Sequence, residues 1–170
     1  MNETYTEYLI KRKTPLLSYV LTALSGAVTA VSFLLAMAGG FLFLAVFAAA
    51  GFLTYLSWRN LRVEFEYLYV DRQFGVDKIV GQAKRKTVYE CSMDEIQMIA
   101  PKDSGELKNY RVSGKPLDFT SHLPGKNIYG MVVQKKGENQ MLLIEADEKL
   151  LHSFRQTAPR KVFDKRTQIC

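Results

Sequence analysis

Histidine, cysteine and clustered carboxylates are the side chains that most often carry catalysis or hold metals, and this chain uses the first two sparingly. It has 2 His and 2 Cys among 170 residues. His122 falls in a polar stretch punctuated by glycine and proline, and His152 on the polar side of a C-terminal helical pattern. Neither is read as having a cysteine or carboxylate partner at the spacing a metal ion needs. Ser121 and His122 are neighbours in sequence, which does not place a hydroxyl against a base as nucleophilic catalysis requires. No GxSxG, HExxH, GxGxxG or phosphate loop occurs. Cys91 and Cys170 are far apart and form no CxxC pair, which fits a reducing compartment or a redox state of no consequence. The chain is therefore read as non-enzymatic, with no catalytic, cofactor-binding or metal-binding residue, no cofactor and no small-molecule substrate.

Charge is the chemistry that remains. Lys+Arg number 23 against 17 Asp+Glu, a net charge of +6 and a pI near 9.3. A base close to an anionic membrane surface gains about 1 kcal/mol. The candidate membrane-facing or anion-facing residues are Lys11, Arg12 and Lys13, then Arg59 and Arg62, then Lys84, Arg85 and Lys86. Further bases occur at Lys135-Lys136, Arg160-Lys161 and Lys165-Arg166. Nucleic acid is not an expected partner, because the charge is interspersed and the tyrosines alternate with apolar residues as core positions do.

The elements that must position these bases begin with an apolar run. From Thr14 to Trp58 there is no Asp, Glu, Lys or Arg. Gly39-Gly40 divides the run into Leu16–Met37 and Phe41–Trp58, which as helices reach roughly 33 Å and 27 Å against a hydrocarbon core of about 30 Å. Two membrane helices are expected, with Tyr55 and Trp58 at the interface. Bases flank both ends of the run and none lies in the turn, so the positive-inside rule puts both termini in the cytoplasm. A cleaved signal peptide ending at Ala36-Met37-Ala38 is not expected, because the apolar stretch is about twice the length of a 7–15-residue signal core. Ser18, Thr22, Ser25, Thr29 and Ser32 recur at alternating four- and three-residue spacing, a stripe of small residues suited to helix packing. Ala45 and Ala49 are the expected counterpart on the second helix. Before the run, Thr4-x-x-Glu7 fits a capping box, and Tyr5, Tyr8, Leu9 and Arg12 follow at helical spacing. Residues 1–13 are thus expected as a short amphipathic cytoplasmic helix, and Thr14-Pro15 as the cap of the first span.

The remainder alternates as strands do. Val63, Phe65, Tyr67 and Tyr69 share one face and Glu64 and Glu66 the other. Further strands are expected over 74–80, 84–91 and 96–100. Residues 102–127 read as a long loop with weak strands at 110–112 and 117–120. A hairpin follows, 128–135 with 140–146. Asp147 then caps a helix whose Leu150, Leu151, Phe154 and Ala158 lie on one face.

An order of about seven short strands and one closing amphipathic helix suits a bent antiparallel sheet whose open end the helix covers. The stretches VEFEYLYVDRQFGVDKI, DEIQMI and MLLIEADEKLLHSFRQTAPRKVFD resemble the bacterial pleckstrin-homology-like domain. With the apolar run in front, the chain resembles a group of two-span membrane proteins of Gram-positive bacteria. The resemblance implies a membrane helical hairpin plus an α+β domain, a PH-like bent antiparallel barrel or sandwich with a C-terminal helix. The expected domains are residues 1–13, a hairpin over 14–59, a PH-like domain over 60–164 and a tail over 165–170. Relatives of this fold that bind inositol lipids use a basic loop between the first two strands. Taken as Asp71-Arg72-Gln73, that loop carries one base and one acid and offers no such site. The expected function is a membrane-tethered interaction or assembly module at the cell membrane, binding another membrane protein or a second copy. The alternative is a module that binds anionic lipid or senses the membrane.

Overall fold

A computed structural model describes residues 6–81 and 84–163. The elements in order are strand β1 (Thr6–Lys11), helices α1 (Leu16–Met37) and α2 (Phe41–Asn60), strands β2 (Val63–Val70), β3 (Gln73–Val80), β4 (Lys84–Ser92) and β5 (Ile96–Pro101), a short helix α3 (Gly105–Lys108), strands β6 (Leu117–Asp118), β7 (Ile128–Lys135) and β8 (Glu138–Glu145), helix α4 (Glu148–Thr157), and a 3-10 turn at Pro159–Lys161. Two compact units divide them. One takes residues 6–12, 64–79 and 85–163, the other 13–63 and 80–84.

The first unit is built on two sheets, with strand orders β1-β2-β3-β4 and β5-β7-β8-β6. Alternation forms β2: Phe65, Tyr67 and Tyr69 are buried and point to one side. Asp71 and Arg72 alone join β2 to β3, both at positive φ (47° and 64°), as a tight hairpin turn demands. In the second sheet β7 and β8 pair antiparallel from Ile128↔Glu145 to Lys135↔Glu138. Their turn is Lys136-Gly137, both residues again at positive φ. Helix α4 starts where its cap was expected, with the Leu150 N–H donating to Asp147 Oδ1 at 2.8 Å. It buries Leu150, Leu151 and Phe154 and leaves His152 exposed. The core joins both sheets and α4: the Phe154 ring stands edge-on to Tyr69 at 5.1 Å and to Phe74 at 5.6 Å.

Three expectations change. Thr6–Lys11 is a strand and not a helix, paired with β2 from Thr6↔Tyr69 to Lys11↔Glu64. Its residues fit both periods, and a ladder of six residue pairs with Ile10 buried outweighs a helix too short to stand alone. The capping residue Thr4 and Tyr5 lie outside the described residues, as do Lys165-Arg166 and Cys170. Residues 110–112 form no strand. The segment from Ser113 to Phe119 instead runs parallel to β8, through Ser113 N–H to Asn139 O (2.8 Å) and Phe119 N–H to Leu143 O (3.0 Å), and covers its edge. Within the same long connection α3 packs Leu107 over Ala100 and Val132. A side chain at residue 130 would come within 2.5 Å of Leu107 Cδ1, so β7 carries Gly130 there. Finally, the connection between the first two strands is residues 12–62, and Asp71-Arg72 belongs to the second connection.

The second unit is the helical hairpin. Gly39 turns the chain at φ 93°, and a Cβ on Gly40 would lie 2.5 Å from the Phe43 ring. Only 6% of each helix's most apolar window is buried, unlike a core helix of a soluble protein. Pro15 takes the N-cap position of α1, while Thr14 Oγ1 donates to the Leu61 carbonyl at 2.5 Å and ties the two ends of the hairpin together.

Candidate functional site

The stripe on α1 faces α2. Ser32 is buried, and Ser18, Thr22, Ser25 and Thr29 are half-buried, while their neighbours around the helix are largely exposed. The Thr29 and Thr54 hydroxyls lie 3.1 Å apart across the seam. Phe33 and Phe47 meet at 5.4 Å between ring centres. Thr22, Thr29 and Ser32 also donate to the carbonyls four residues back, and Ser25 to the carbonyl three back, so no hydroxyl of these four is left unsatisfied among apolar neighbours. On α2 the facing residues are Phe47, Ala50, Gly51 and Thr54. Ala45 and Ala49, the expected partners, are exposed. Ala50, Thr54 and Ser57 were the better signal, small residues at spacings of four and three.

The candidate bases fall into two sets. Lys13, Arg59, Arg62 and Lys84 belong to the hairpin unit, which has no acid in its residues 13–63 and 80–84. Arg59 occupies the last turn of α2, its guanidinium 6.0 Å from the Tyr55 ring centre. Its stem rests on Gly81, where a Cβ would come within 2.7 Å of Arg59 Cγ. The Gly81 N–H donates to the Arg62 carbonyl at 2.8 Å. Lys11, Arg12, Arg85 and Lys86 belong to the sheet unit. Lys11 is exposed opposite Glu64. Arg12 bonds His122 Nε2 at 2.9 Å and lies over the Phe65 ring. Arg85 pairs with Glu66 and, at 3.7 Å, with Asp77, so carboxylates of its own sheet engage its charge. Lys86 is exposed.

Sequence reasoning missed the carboxylates. Glu66, expected on the face opposite Phe65, Tyr67 and Tyr69, is 1% exposed. Burial, followed by its hydrogen bond with Glu7, raises its carboxyl above the usual range against the pull of Arg85. Asp118, four residues before His122, lies 3.5 Å from that imidazole. Burial would raise Asp118, but the Thr120 N–H and hydroxyl outweigh it, helped by His122 and Arg12, and hold the carboxyl below its ordinary value. Buried Glu145 accepts from the Ser121 N–H and hydroxyl at 2.6 and 2.5 Å. The Tyr67 hydroxyl donates to Phe119 O and accepts from the Glu145 N–H, tying the long connection to both sheets. Cys91 is buried, and burial pushes its thiol up to about 12, so it stays protonated and unreactive at neutral pH. Among the described residues, no three His, Cys, Asp or Glu side chains gather as metal ligands. A crevice of about 380 Å³ beside the start of α4 carries Lys102, Asp103, Lys126 and Glu148, charges of both signs.

Two sheets closed by a C-terminal helix are the architecture expected from the resemblance, and a family model described as a bacterial PH-like domain (DUF6106) matches residues 2–164. The chain belongs to this bacterial PH-like family. The match begins before the hairpin, in agreement with β1 as a strand of the PH-like sheet. No curated protein and no solved structure matches the chain. As a PH-like protein with two apolar helices long enough to cross a bilayer, it has the makings of a two-span membrane protein.

Proposed function

We propose that this protein is a non-enzymatic interaction or assembly module, tethered by its hairpin in the cell membrane with both termini in the cytoplasm. The observation that carries the reading is the insertion of the hairpin between two paired strands. β1 leads into α1, α2 leads into β2, and β1 and β2 pair through six residues. Both ends of the hairpin must therefore return to one sheet on one side of the bilayer. Lys11, Arg12 and Lys13 precede the hairpin and Arg59 and Arg62 close it, while Gly39-Gly40 has no charge nearby, which favours the cytoplasm for that side. The PH-like fold supports a binding role, since such domains are generally non-catalytic and commonly bind proteins or lipids. The partner is another membrane protein or a second copy of this chain.

Anionic-lipid binding is the second reading, favoured by the four bases and no acid of the hairpin unit. Pull-down of the intact protein from mild detergent, with protein and lipid analysis of the same eluate, separates the two. A stoichiometric protein or self-association supports the first reading. Enrichment of anionic phospholipid with a monomeric chain supports the second. For orientation, Ala38→Cys in the exposed turn should react with an impermeant thiol reagent added outside, and a reporter after Cys170 should be active only in the cytoplasm. The opposite pattern refutes the orientation.

A further inference from the structure

We infer that the end of α2 is a phosphate-binding site, with the Arg59 guanidinium as its principal donor and a membrane phospholipid as the carrier of the phosphate. The inference rests on the reading of α1 and α2 as membrane spans. Arg59 Nε is buried and has no hydrogen-bond acceptor among the described residues. A buried N–H on a permanently charged group is costly when unpaired, so native structures give such groups an acceptor. Three other arginines have partners within the chain: Arg72 has Asp94, Arg85 has Glu66 and Asp77, and Arg12 has His122. The residues of the hairpin unit itself include no carboxylate that could pair with Arg59.

Its placement is held from three directions. The stem packs against Gly81, which sits at φ +61° and leaves no room for a Cβ. The guanidinium lies beside the Tyr55 ring. The Gly81 N–H to Arg62 carbonyl bond fixes the turn to the end of the helix. A guanidinium presents its N–H groups as a planar fork that matches phosphate oxygens. Arg62 and Lys84, exposed in the same unit, add positive charge. Tyr55 and Trp58 are exposed one helical turn or less away, at the end of α2 where amphipathic rings mark headgroup depth. A phosphodiester at that depth would meet the Arg59 guanidinium, whose Nε has no acceptor among the described residues.

The test uses the full chain with two probes. In the first arm it is reconstituted in vesicles of phosphatidylcholine with phosphatidylglycerol, extracted in mild detergent, and its retained phospholipid counted by native mass spectrometry. In the second arm inorganic phosphate is titrated onto the delipidated protein. Wild type should retain phosphatidylglycerol in preference, and Arg59→Gln should retain roughly five- to tenfold less, the share expected of one surface base. Gly81→Ala, which displaces the Arg59 stem without changing charge, should lower retention too. Arg160→Gln should not. Arg59→Lys keeps the charge but loses the planar fork, so it should recover only part of the retention lost in Arg59→Gln, and full recovery overturns the assignment to the guanidinium. Unfolding curves of each variant separate lost binding from lost fold. If inorganic phosphate binds and Arg59→Gln weakens it while phospholipid retention is unchanged, the site takes free phosphate and not lipid. Equal retention and equal phosphate binding in wild type and Arg59→Gln overturn the inference. Failure of the chain to float with pure phosphatidylcholine vesicles refutes the membrane reading by itself, and the phosphate arm still decides the site.

Discussion

Replacing Phe154 by alanine tests the closure of the PH-like barrel by α4. The ring is fully buried and meets Tyr69 and Phe74 edge-on, at 5.1 and 5.6 Å. Phe→Ala in a core costs about 3–5 kcal/mol from lost burial and the cavity left behind. Two aromatic partners, each pair adding about 0.5–1.5 kcal/mol, put this site in the upper half of that range, near 4 kcal/mol. For a domain of about 100 residues this lowers the melting midpoint by roughly 15–30 °C. The intact protein in detergent should be followed by near-ultraviolet circular dichroism, which reports tyrosine packing in the domain rather than the helicity of the hairpin. His152→Ala, on the exposed side of the same helix, should stay within about 0.5 kcal/mol of wild type. Tyr69→Phe loses the 2.7 Å bond to the Thr157 hydroxyl and should cost about 1 kcal/mol. Equal shifts for Phe154→Ala and His152→Ala would mean that α4 packs by another face, and a near-silent Phe154→Ala would mean that it does not close the barrel.

Three further outcomes are expected. Lys11→Cys with Glu64→Cys, directly opposite in the β1–β2 ladder, should form a disulfide in the full chain, whereas Leu9→Cys with Glu64→Cys, offset by two residues on one face, should not; the reverse would break the register. Thr29→Leu with Ser32→Leu should overpack the seam and destabilise the hairpin by about 1–3 kcal/mol, while Leu24→Ile with Val31→Ile on the exposed faces should be silent, both read from helix–helix crosslinking in detergent. Glu66 and Asp118 should act on pH stability with opposite sign: the raised carboxyl of Glu66 makes stability fall as pH rises through its titration, so Glu66→Gln removes that decline, whereas the lowered carboxyl of Asp118 adds stability above its unfolded value near ~3.9 that is lost on acidification, so Asp118→Asn is less stable at neutral pH and converges with wild type in acid.

What the sequence made legible followed local periodicity. α4 was readable because Asp147 caps it and Leu150, Leu151 and Phe154 fall on one face. The β7–β8 hairpin was readable because two apolar runs flank a glycine turn, and its turn was misplaced only by length. β1 was not, because Thr6–Lys11 satisfies a helical and an alternating pattern at once. Its partner strand begins beyond the whole hairpin, and local periodicity carries no information about such pairing. The burial of Glu66 was not legible for a related reason. Alternation puts it opposite the core, as expected, but Arg85 and Asp77 on neighbouring strands cover it there. On α2 hydrophobicity could not pick the packed face, since all sides are apolar. The small hydroxylated residues Thr54 and Ser57, with Ala50 one turn before, mark one side.

With the hairpin read as membrane-spanning, as proposed, the insertion also explains why the apolar run is double. Paired strands lie about 4.8 Å apart and packed helices typically about 8–10 Å, so short connections are needed where a strand continues into a helix. Residues 12–15 and 61–62 are those connections, and the Thr14 hydroxyl on the Leu61 carbonyl holds them together. A chain that leaves the sheet after β1 and rejoins it at β2 must cross a bilayer an even number of times. A single span would strand β1 on the far side and leave Phe65, Tyr67 and Tyr69 beside an unpaired edge. Gly39-Gly40 is thus as necessary to the sheet as to the hairpin. At φ 93° in Gly39 and without a Cβ on Gly40, the chain reverses within the few residues between α1 and α2 and brings β2 back to its partner.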